Sequence, residues 1–345
     1  MTSAPSFHVL SGQVIAALLA TGHDEVVGVV RDTYRMHGRR ETNNPDSYFL
    51  RFDDKPNARI IALPAAVRGE SPVSGIKWIA SYPDNIRSNL QRASATLLLN
   101  DYETGYPVAC LEASQISAAR TAASAVLAAD LLSRGQAGGQ EGGRRGGRLA
   151  VVGAGVIART ILDYFRAQGW RFDSLAVHDL NEADAERLRD VAPSLAGERW
   201  VAASLEEAVR GASHVVLATT AATPYIHDAT LLHAGQVILN VSLRDLAPEL
   251  LLAACNVFDD VEHCLKAATS PHLAEQLTGG RDFVAGTLAD VMDGTLVPDR
   301  DKPIVFSPFG LGVLDIAVGR HLLARAVAGG HTRRIDDFFP DTARW

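Results

Sequence analysis

Three neighbourhoods of this 345-residue chain could do chemistry, and they lie far apart in sequence. The first is Gly153-Ala154-Gly155, which follows the apolar run LAVV (149–152) and leads into Val156, Ile157 and Ala158. A first glycine makes a tight turn, a second lets backbone approach a pyrophosphate, and a small residue at 158 lets the following helix close on its strand. Asp179 ends the next apolar run, near the spacing at which an acid reaches a ribose 2′-hydroxyl and repels a 2′-phosphate, so the expected cofactor is NAD. The second neighbourhood is Asp245 in LNVSLRDLAP, directly after the run 236–241. Ligands of open α/β sheets bind beyond the carboxyl ends of strands, and a carboxylate there can serve as general acid/base. The bland alternative is a loop aspartate capping the turn before Pro248. Arg244 beside it could pair with Asp245 or with a substrate carboxylate. The third is a pair of cations. Arg120 shares a helix face with Ile116, Ala123 and Leu127, where a guanidinium needs a carboxylate partner, either a substrate's or an internal one. Lys77 in GIKWIAS alternates away from Ile76, Trp78 and Ala80, and the commoner fate of such a strand lysine is to point into water. Thr219, Thr220 and the turn Ser307-Pro308-Phe309-Gly310 also close apolar runs, and could line a cofactor cleft or simply turn the chain.

These residues need elements to hold them. Residues 11–20 and 24–38 read as helices, 47–52, 58–67, 75–81, 95–99 and 106–112 as strands, and 114–133 as a long Ala-rich helix. That is an α+β domain of two helices, an antiparallel sheet and a closing helix. The stretch GQAGGQEGGRRGG (135–147) is too glycine-rich to pack and reads as a solvated linker, its two arginines included. Strands at 149–152, 174–178, 214–218, 236–241, 257–258 and 304–306 then alternate with helices at 156–168, 182–191 and 205–211, the last opened by the capping box Ser204-Leu-Glu-Glu207. A helix over 310–328 closes the chain. The expected class is α/β: an α+β domain over 1–133, a linker over 134–147, a Rossmann-type NAD-binding domain over 148–309, and a segment over 310–345 returning to the first domain.

Composition narrows the partners. A formal net charge of −7, with no basic patch interleaved with aromatics, speaks against nucleic acid. No apolar stretch is long enough to span a bilayer, and residues 1–8 lack the basic and apolar regions of a signal peptide. Cys110, Cys255 and Cys264 are odd in number and scattered, as reduced thiols of a cytoplasmic protein are. No HExxH or paired-ligand spacing occurs among the histidines, so no metal is expected.

GIKW (75–78), LNDYETGYP (99–107), ARTAA (119–123), VVGAGVIA (151–158) and NVSLRD (240–245) together resemble the ornithine cyclodeaminase/μ-crystallin family, in one order over nearly the whole chain. The resemblance implies an N-terminal substrate and dimerisation domain, a Rossmann domain and a returning C-terminal segment in a homodimer that binds a small amino-acid substrate. It implies that Lys77 and Arg120 hold the substrate carboxylate and that Asp245 is the acid/base beside the nicotinamide. It also places Arg92, Thr121, Val156, Ile157, Asp179, Thr219 and Thr220 around the dinucleotide. Two departures speak against ornithine itself. Ser47 stands where the family has an arginine that helps bind ornithine, although Arg51, four residues along, shares that strand face. A lysine shortly after the catalytic aspartate is also missing from DLAPEL. NNPDSYFLRF, ARIIALPA and FSPFGLGVLDIAVG look instead like the branch of dehydrogenases that form 2,3-diaminopropionate for siderophores and peptide antibiotics. Members of that branch oxidise N-(2-amino-2-carboxyethyl)-L-glutamate with NAD, giving 2-oxoglutarate and L-2,3-diaminopropionate. A cyclodeaminase, an imine reductase and a non-catalytic μ-crystallin-like NAD(P)H-binding protein are the alternatives.

Overall fold

The computed structural model describes residues 6–134 and 144–340. Its elements run β1 (Phe7–Leu10), α1 (Gly12–Thr21), α2 (His23–Gly38), β2 (Thr42–Asn43), β3 (Tyr48–Phe52), β4 (Lys55–Val67), β5 (Val73–Ser81), β6 (Ala93–Asp101), β7 (Pro107–Glu112) and α3 (Ser114–Leu132). There follow β8 (Arg145–Val152), α4 (Val156–Ala167), β9 (Arg171–His178), α5 (Glu182–Val191), β10 (Ala196–Val201), α6 (Leu205–Val209), β11 (His214–Leu217) and β12 (Val237–Asn240). The last are α7 (Pro248–Leu252), β13 (Cys255–Phe258), α8 (Val261–Cys264), α9 (Ser270–Thr278), β14 (Val284–Thr287), α10 (Leu288–Met292), β15 (Ile304–Ser307), α11 (Gly312–Ala328) and β16 (Arg333–Ile335). The chain divides into two compact units, one formed by residues up to Arg120 with those from Leu311 onward, the other by Thr121–Gly310.

The first unit is α+β and is completed by the C-terminal segment. Its sheet runs β16-β1-β7-β6-β5-β4-β2, with β3 also paired to β4. The expectation of an antiparallel sheet holds for β3 to β7, but β1 pairs β7 in parallel. That pairing joins residues about a hundred positions apart, which local pattern does not reveal. The β3–β4 hairpin is tighter than expected, because Lys55 already pairs Phe52 across a two-residue turn. Helix α11 lies on β4, β5 and β6 and against α2. It is buried on nearly every side through Val313, Leu314, Ile316, Val318 and Leu322, as an almost uniformly apolar helix must be. Gly319 permits this approach, since a Cβ there would collide with the Leu97 side chain.

The second unit is a Rossmann-type α/β fold. Its eight strands run β10-β9-β8-β11-β12-β15-β13-β14, and every pairing is parallel. All residues of β11, β12, β13 and β15 are buried, the signature of a sheet covered on both faces. Strand order reverses between β8 and β11, the switch point at which such sheets bind ligands. The glycine-rich stretch is shorter than expected as a linker. Residues 135–143 lie outside the described ones, but β8 already begins at Arg145, pairing Arg171 on β9. Arg144 is no solvated loop residue either: its Nε donates to Asp130 (2.9 Å) and its Nη1 to the Gln168 carbonyl (2.5 Å). Ladder hydrogen bonds and a carboxylate partner outweigh the chain entropy that glycines would otherwise keep. The capping box is half-formed: Ser204 accepts from the Glu207 N–H, while the Glu207 carboxylate accepts from Ala203 rather than Ser204.

Candidate functional site

The turn after β8 has the form a dinucleotide needs. Gly153 sits at φ 91°, and a Cβ there would stand 2.7 Å from the Ala218 carbonyl oxygen, so only glycine fits. Gly155, the N-cap of α4, has open space where its Cβ would be, and no side chain caps the helix. Free N–H groups, a positive helix end and bare backbone are what a pyrophosphate binds. Behind them Val156 is exposed, Ile157 half-buried and Ala158 buried on the sheet. Asp179 at the end of β9 is oriented against this turn: Oδ2 accepts from the Ala154 N–H (2.7 Å) and Oδ1 from Asn181 (2.8 Å). Leu180 next to it is 101% exposed, an apolar surface that the sequence reading passed over.

Asp245 is completely buried at the end of the β12 loop. Its Oδ1 accepts from Thr219 Oγ1 (2.8 Å) and its Oδ2 from the Tyr225 hydroxyl (3.1 Å). Burial raises its pKa, against the pull of these hydrogen bonds. Burial and the Asp245 charge likewise raise the Tyr225 phenol, which therefore remains the donor. Thr219 thus serves the carboxylate, while Thr220 is exposed. Tyr225 lies in AATPYIH, which carries no recognisable motif; it is brought in because the Asp245 carbonyl accepts from the N–H groups of Tyr225 (3.1 Å) and Ile226 (3.0 Å).

Arg244 does not pair with Asp245. Its Nε donates to the Ala268 carbonyl (3.0 Å) and its Nη2 to that of Ala267 (2.5 Å). Leu243, Ala267 and Ala268 all have positive φ, at 77°, 55° and 52°. The Arg244 fork thus ties two left-handed segments together beside the buried carboxylate.

The turn after β15 is anchored by a residue that the sequence reading missed. Asp259, fully buried, accepts from the N–H groups of Phe309 (2.9 Å) and Gly310 (2.8 Å), and from the Cys264 thiol (3.1 Å). The Ser307 hydroxyl is buried too and accepts from Asn240 Nδ2 (3.0 Å). Two adjacent aspartates closing a buried strand, Asp259 and Asp260, were the available signal. Thr121 belongs to this unit through α3, whereas Arg92 belongs to the first, in a loop pinned by the Tyr82 N–H on its carbonyl (2.8 Å).

The first unit brings the two cations together. Lys77 points inward from β5, against the usual fate of a strand lysine, and is buried. Its Nζ donates to Asp315 Oδ2 (2.6 Å) and Ser117 Oγ (3.2 Å), and Arg120 Nε donates to Asp315 Oδ1 (3.3 Å). The internal carboxylate that Arg120 needs is therefore Asp315, 0% exposed on α11. An acid inside the apolar run GVLDIAVG was the signal for it. Burial pushes the Lys77 ammonium down to about 8; the Asp315 charge opposes the fall and Arg120 adds to it. Further along the same sheet face, Arg51 on β3 stands directly opposite Arg59 on β4, which stands opposite Ser81 on β5. The Ser81 hydroxyl is buried with no hydrogen-bond partner, and the Arg51 guanidinium lies over the Phe49 ring at 5.4 Å. Ser47 just precedes β3 and is half-buried. Among the described residues no cluster of His, Cys, Asp or Glu could hold a metal ion.

Comparison with known proteins follows the same lines. The model of the ornithine cyclodeaminase/μ-crystallin family matches residues 19–330. The chain is 31% identical to the N-((2S)-2-amino-2-carboxyethyl)-L-glutamate dehydrogenase of Staphylococcus aureus over 309 residues, 86% of this chain and 88% of that one. Its fold matches the crystal structure of CmnK with a TM-score of 0.84 and 28% identity, covering 98% and 100% of the two chains. It also matches an archaeal alanine dehydrogenase dimer with bound NAD, with a TM-score of 0.83 and 23% identity over 97% and 100%.

Proposed function

The chain belongs to the ornithine cyclodeaminase/μ-crystallin family, and within it we propose an NAD-dependent dehydrogenase that cleaves N-(2-amino-2-carboxyethyl)-L-glutamate to L-2,3-diaminopropionate and 2-oxoglutarate. It would act in the cytoplasm, for siderophore or peptide-antibiotic biosynthesis. The observation that carries the choice of substrate is the second set of cations on the Lys77 face. An alanine dehydrogenase handles one carboxylate, for which Lys77 and Arg120 suffice. Arg51 and Arg59 stand four residue pairs beyond Lys77, roughly 13 Å along the strands. A substrate with carboxylates at both ends of a flexible amine fits this spacing, since long arginine stems close the remaining distance.

Each unit then has its part. Lys77 and Arg120 hold the α-carboxylate, with Arg51 and Arg59 on a distal one; fixed carboxylates orient the glutamyl Cα–H, the kind of positioning that lowers a barrier by several kcal/mol. Gly153, Gly155 and the α4 N-terminus would hold the pyrophosphate of NAD, and Asp179 the adenosine ribose. When bound, NAD would supply the two-electron acceptor that oxidation of that Cα to a C=N bond at the bridging nitrogen requires. Asp245 takes the proton released from that nitrogen, then directs a water onto the carbon, and C–N cleavage frees the amine and the oxo acid. Tyr225 and Thr219 keep its carboxylate aimed.

We also propose a homodimer through the opposite face of the first unit's sheet. There Tyr48, Leu50, Ile76, Trp78 (44% exposed) and Leu98 form an apolar surface with little charge. Trp78→Asp should then yield monomers in sedimentation velocity; an unchanged dimer would move the interface elsewhere.

The activity test is absorbance at 340 nm with NAD and N-(2-amino-2-carboxyethyl)-L-glutamate, beside ornithine and alanine. Stoichiometric NADH with 2-oxoglutarate is expected from the first. Proline and ammonia from ornithine without net NADH, or pyruvate from alanine alone, would overturn the reading. Silence with all three would favour a binding role.

A further inference from the structure

We propose that Asp315 is the positioning residue of the carboxylate-binding pair, holding Lys77 and Arg120 as one preorganised fork with a net charge of +1, matched to a single substrate carboxylate. This deepens the function proposed above and rests on its assignment of Lys77 and Arg120.

The donor inventory supports it. An ammonium has three N–H donors, and Lys77 spends one on Asp315 and one on Ser117, leaving one. A guanidinium has five, and Arg120 spends only Nε on Asp315, leaving both terminal amino groups. The Arg120 side chain is 11% exposed, against 2% for Lys77 and 0% for Asp315. The acid thus lies behind the fork, with Arg120 on its accessible side. Two cations this close repel each other, and removing both from water is costly. Asp315 offsets one of the two charges and uses one oxygen for each partner, so neither side chain swings free. A single bound carboxylate then brings the group to neutrality. A second would leave an uncompensated buried anion, so further substrate carboxylates need other cations.

Asp315 also decides whether Lys77 carries a proton. The groups facing Lys77 are Asp315 from α11 and Arg120 and Ser117 from α3, while its cross-strand neighbours Leu63 and Leu97 are apolar. Arg120 and burial both favour the neutral amine, and Asp315 alone favours the ammonium. Without its charge Lys77 would be largely neutral at neutral pH and unable to hold an anion.

The chain has four lysines, Lys55, Lys77, Lys266 and Lys302, so a ¹³Cε-lysine NMR titration resolves Lys77 directly and needs no turnover. In the unaltered protein its signal should titrate near pH 8 and shift on addition of 2-oxoglutarate. In Asp315→Asn the midpoint should fall by about 1–3 pH units, the usual effect of losing an adjacent opposite charge, and the response to 2-oxoglutarate at pH 7.5 should disappear. In Asp315→Glu, which keeps the charge but displaces the oxygens, the midpoint should stay near 8 while 2-oxoglutarate binds at least about tenfold more weakly. The glutamate variant therefore decides the matter even if the asparagine variant does not fold. An unmoved midpoint in Asp315→Asn, or unweakened binding in Asp315→Glu, overturns the proposal while leaving Lys77 a carboxylate ligand. A Lys77 signal that ignores 2-oxoglutarate in the unaltered protein overturns that assignment, and the proposal with it.

Discussion

Replacing Asp245 by asparagine separates chemistry from structure at the buried carboxylate. The substitution is isosteric. Asparagine Oδ1 can still accept from Thr219 Oγ1, now at 2.8 Å, and its Nδ2 can donate to the Tyr225 oxygen, now at 3.1 Å from the carboxylate. Two neutral hydrogen bonds replace two charge-assisted ones, while the cost of burying an anion disappears. The net change in stability should be within about 1 kcal/mol, a shift of about 2–4 °C in Tm for a unit of this size. Proton transfer is lost altogether. A positioned acid/base contributes about 10²–10⁴ in rate, which is about 3–5 kcal/mol of barrier. Initial rates of NADH formation should therefore show kcat/KM reduced by that factor, with NAD affinity by calorimetry and the melting curve nearly unchanged. The unaltered enzyme should also lose activity as pH falls through the Asp245 pKa, which burial lifts above the ordinary carboxylate range. A kcat/KM within about threefold of the parent would refute the proton-transfer role, since a positioned acid/base typically contributes at least about a hundredfold.

Other outcomes follow from the same geometry. Gly153→Ala forces a Cβ onto φ 91° and against the Ala218 carbonyl, so it should cost at least about 1–2 kcal/mol and weaken NAD binding; unchanged affinity in calorimetry would contradict the pyrophosphate assignment. Asp259→Asn sets an amide N–H against a backbone donor of Phe309 or Gly310, and should cost about 1–3 kcal/mol in chemical denaturation and raise the KM for NAD. Asp179→Ser removes the acid that disfavours a 2′-phosphate, and the ratio of NADP to NAD efficiency should rise about tenfold or more; an unmoved ratio would place cofactor choice elsewhere. Burial pushes His214 from 6.5 down to about 4, so the unfolded chain takes up this proton first. The stability present above pH 6.5 should then be lost as pH falls towards 4, by about 3 kcal/mol, with a flatter urea-melt profile in His214→Asn.

Local pattern carried the Rossmann half further than the first unit. Buried parallel strands are continuous apolar runs, so 214–218, 236–241 and 304–306 were legible to within a residue or two of β11, β12 and β15. The helix over 182–191 coincides with α5, because Asn181 caps it and acids fill its first turn. The elements that escaped are short or at edges. Strand β10 (AGERWV) has a mixed surface and takes its conformation from pairing β9, and β1 needs two partners remote in sequence, β7 about a hundred residues on and β16 near the C-terminus.

The residues with chemical capacity were visible one by one: a Gly-x-Gly turn, an aspartate at a strand end, a lysine and an arginine on apolar faces. Their partners were not. That Lys77 turns inward, that Asp315 bridges it to Arg120 across 195 positions of chain, and that Tyr225 and Thr219 aim Asp245 depend on contacts between distant segments. Burial is what converts these side chains from ordinary surface groups into sites with shifted protonation, and burial is a property of packing. Residue type and spacing state what chemistry is available, because turn sterics and helix periodicity act over a few residues. Tertiary structure decides which charges lose their water and find one another, because desolvation and Coulomb energy depend on distance in space and not along the chain.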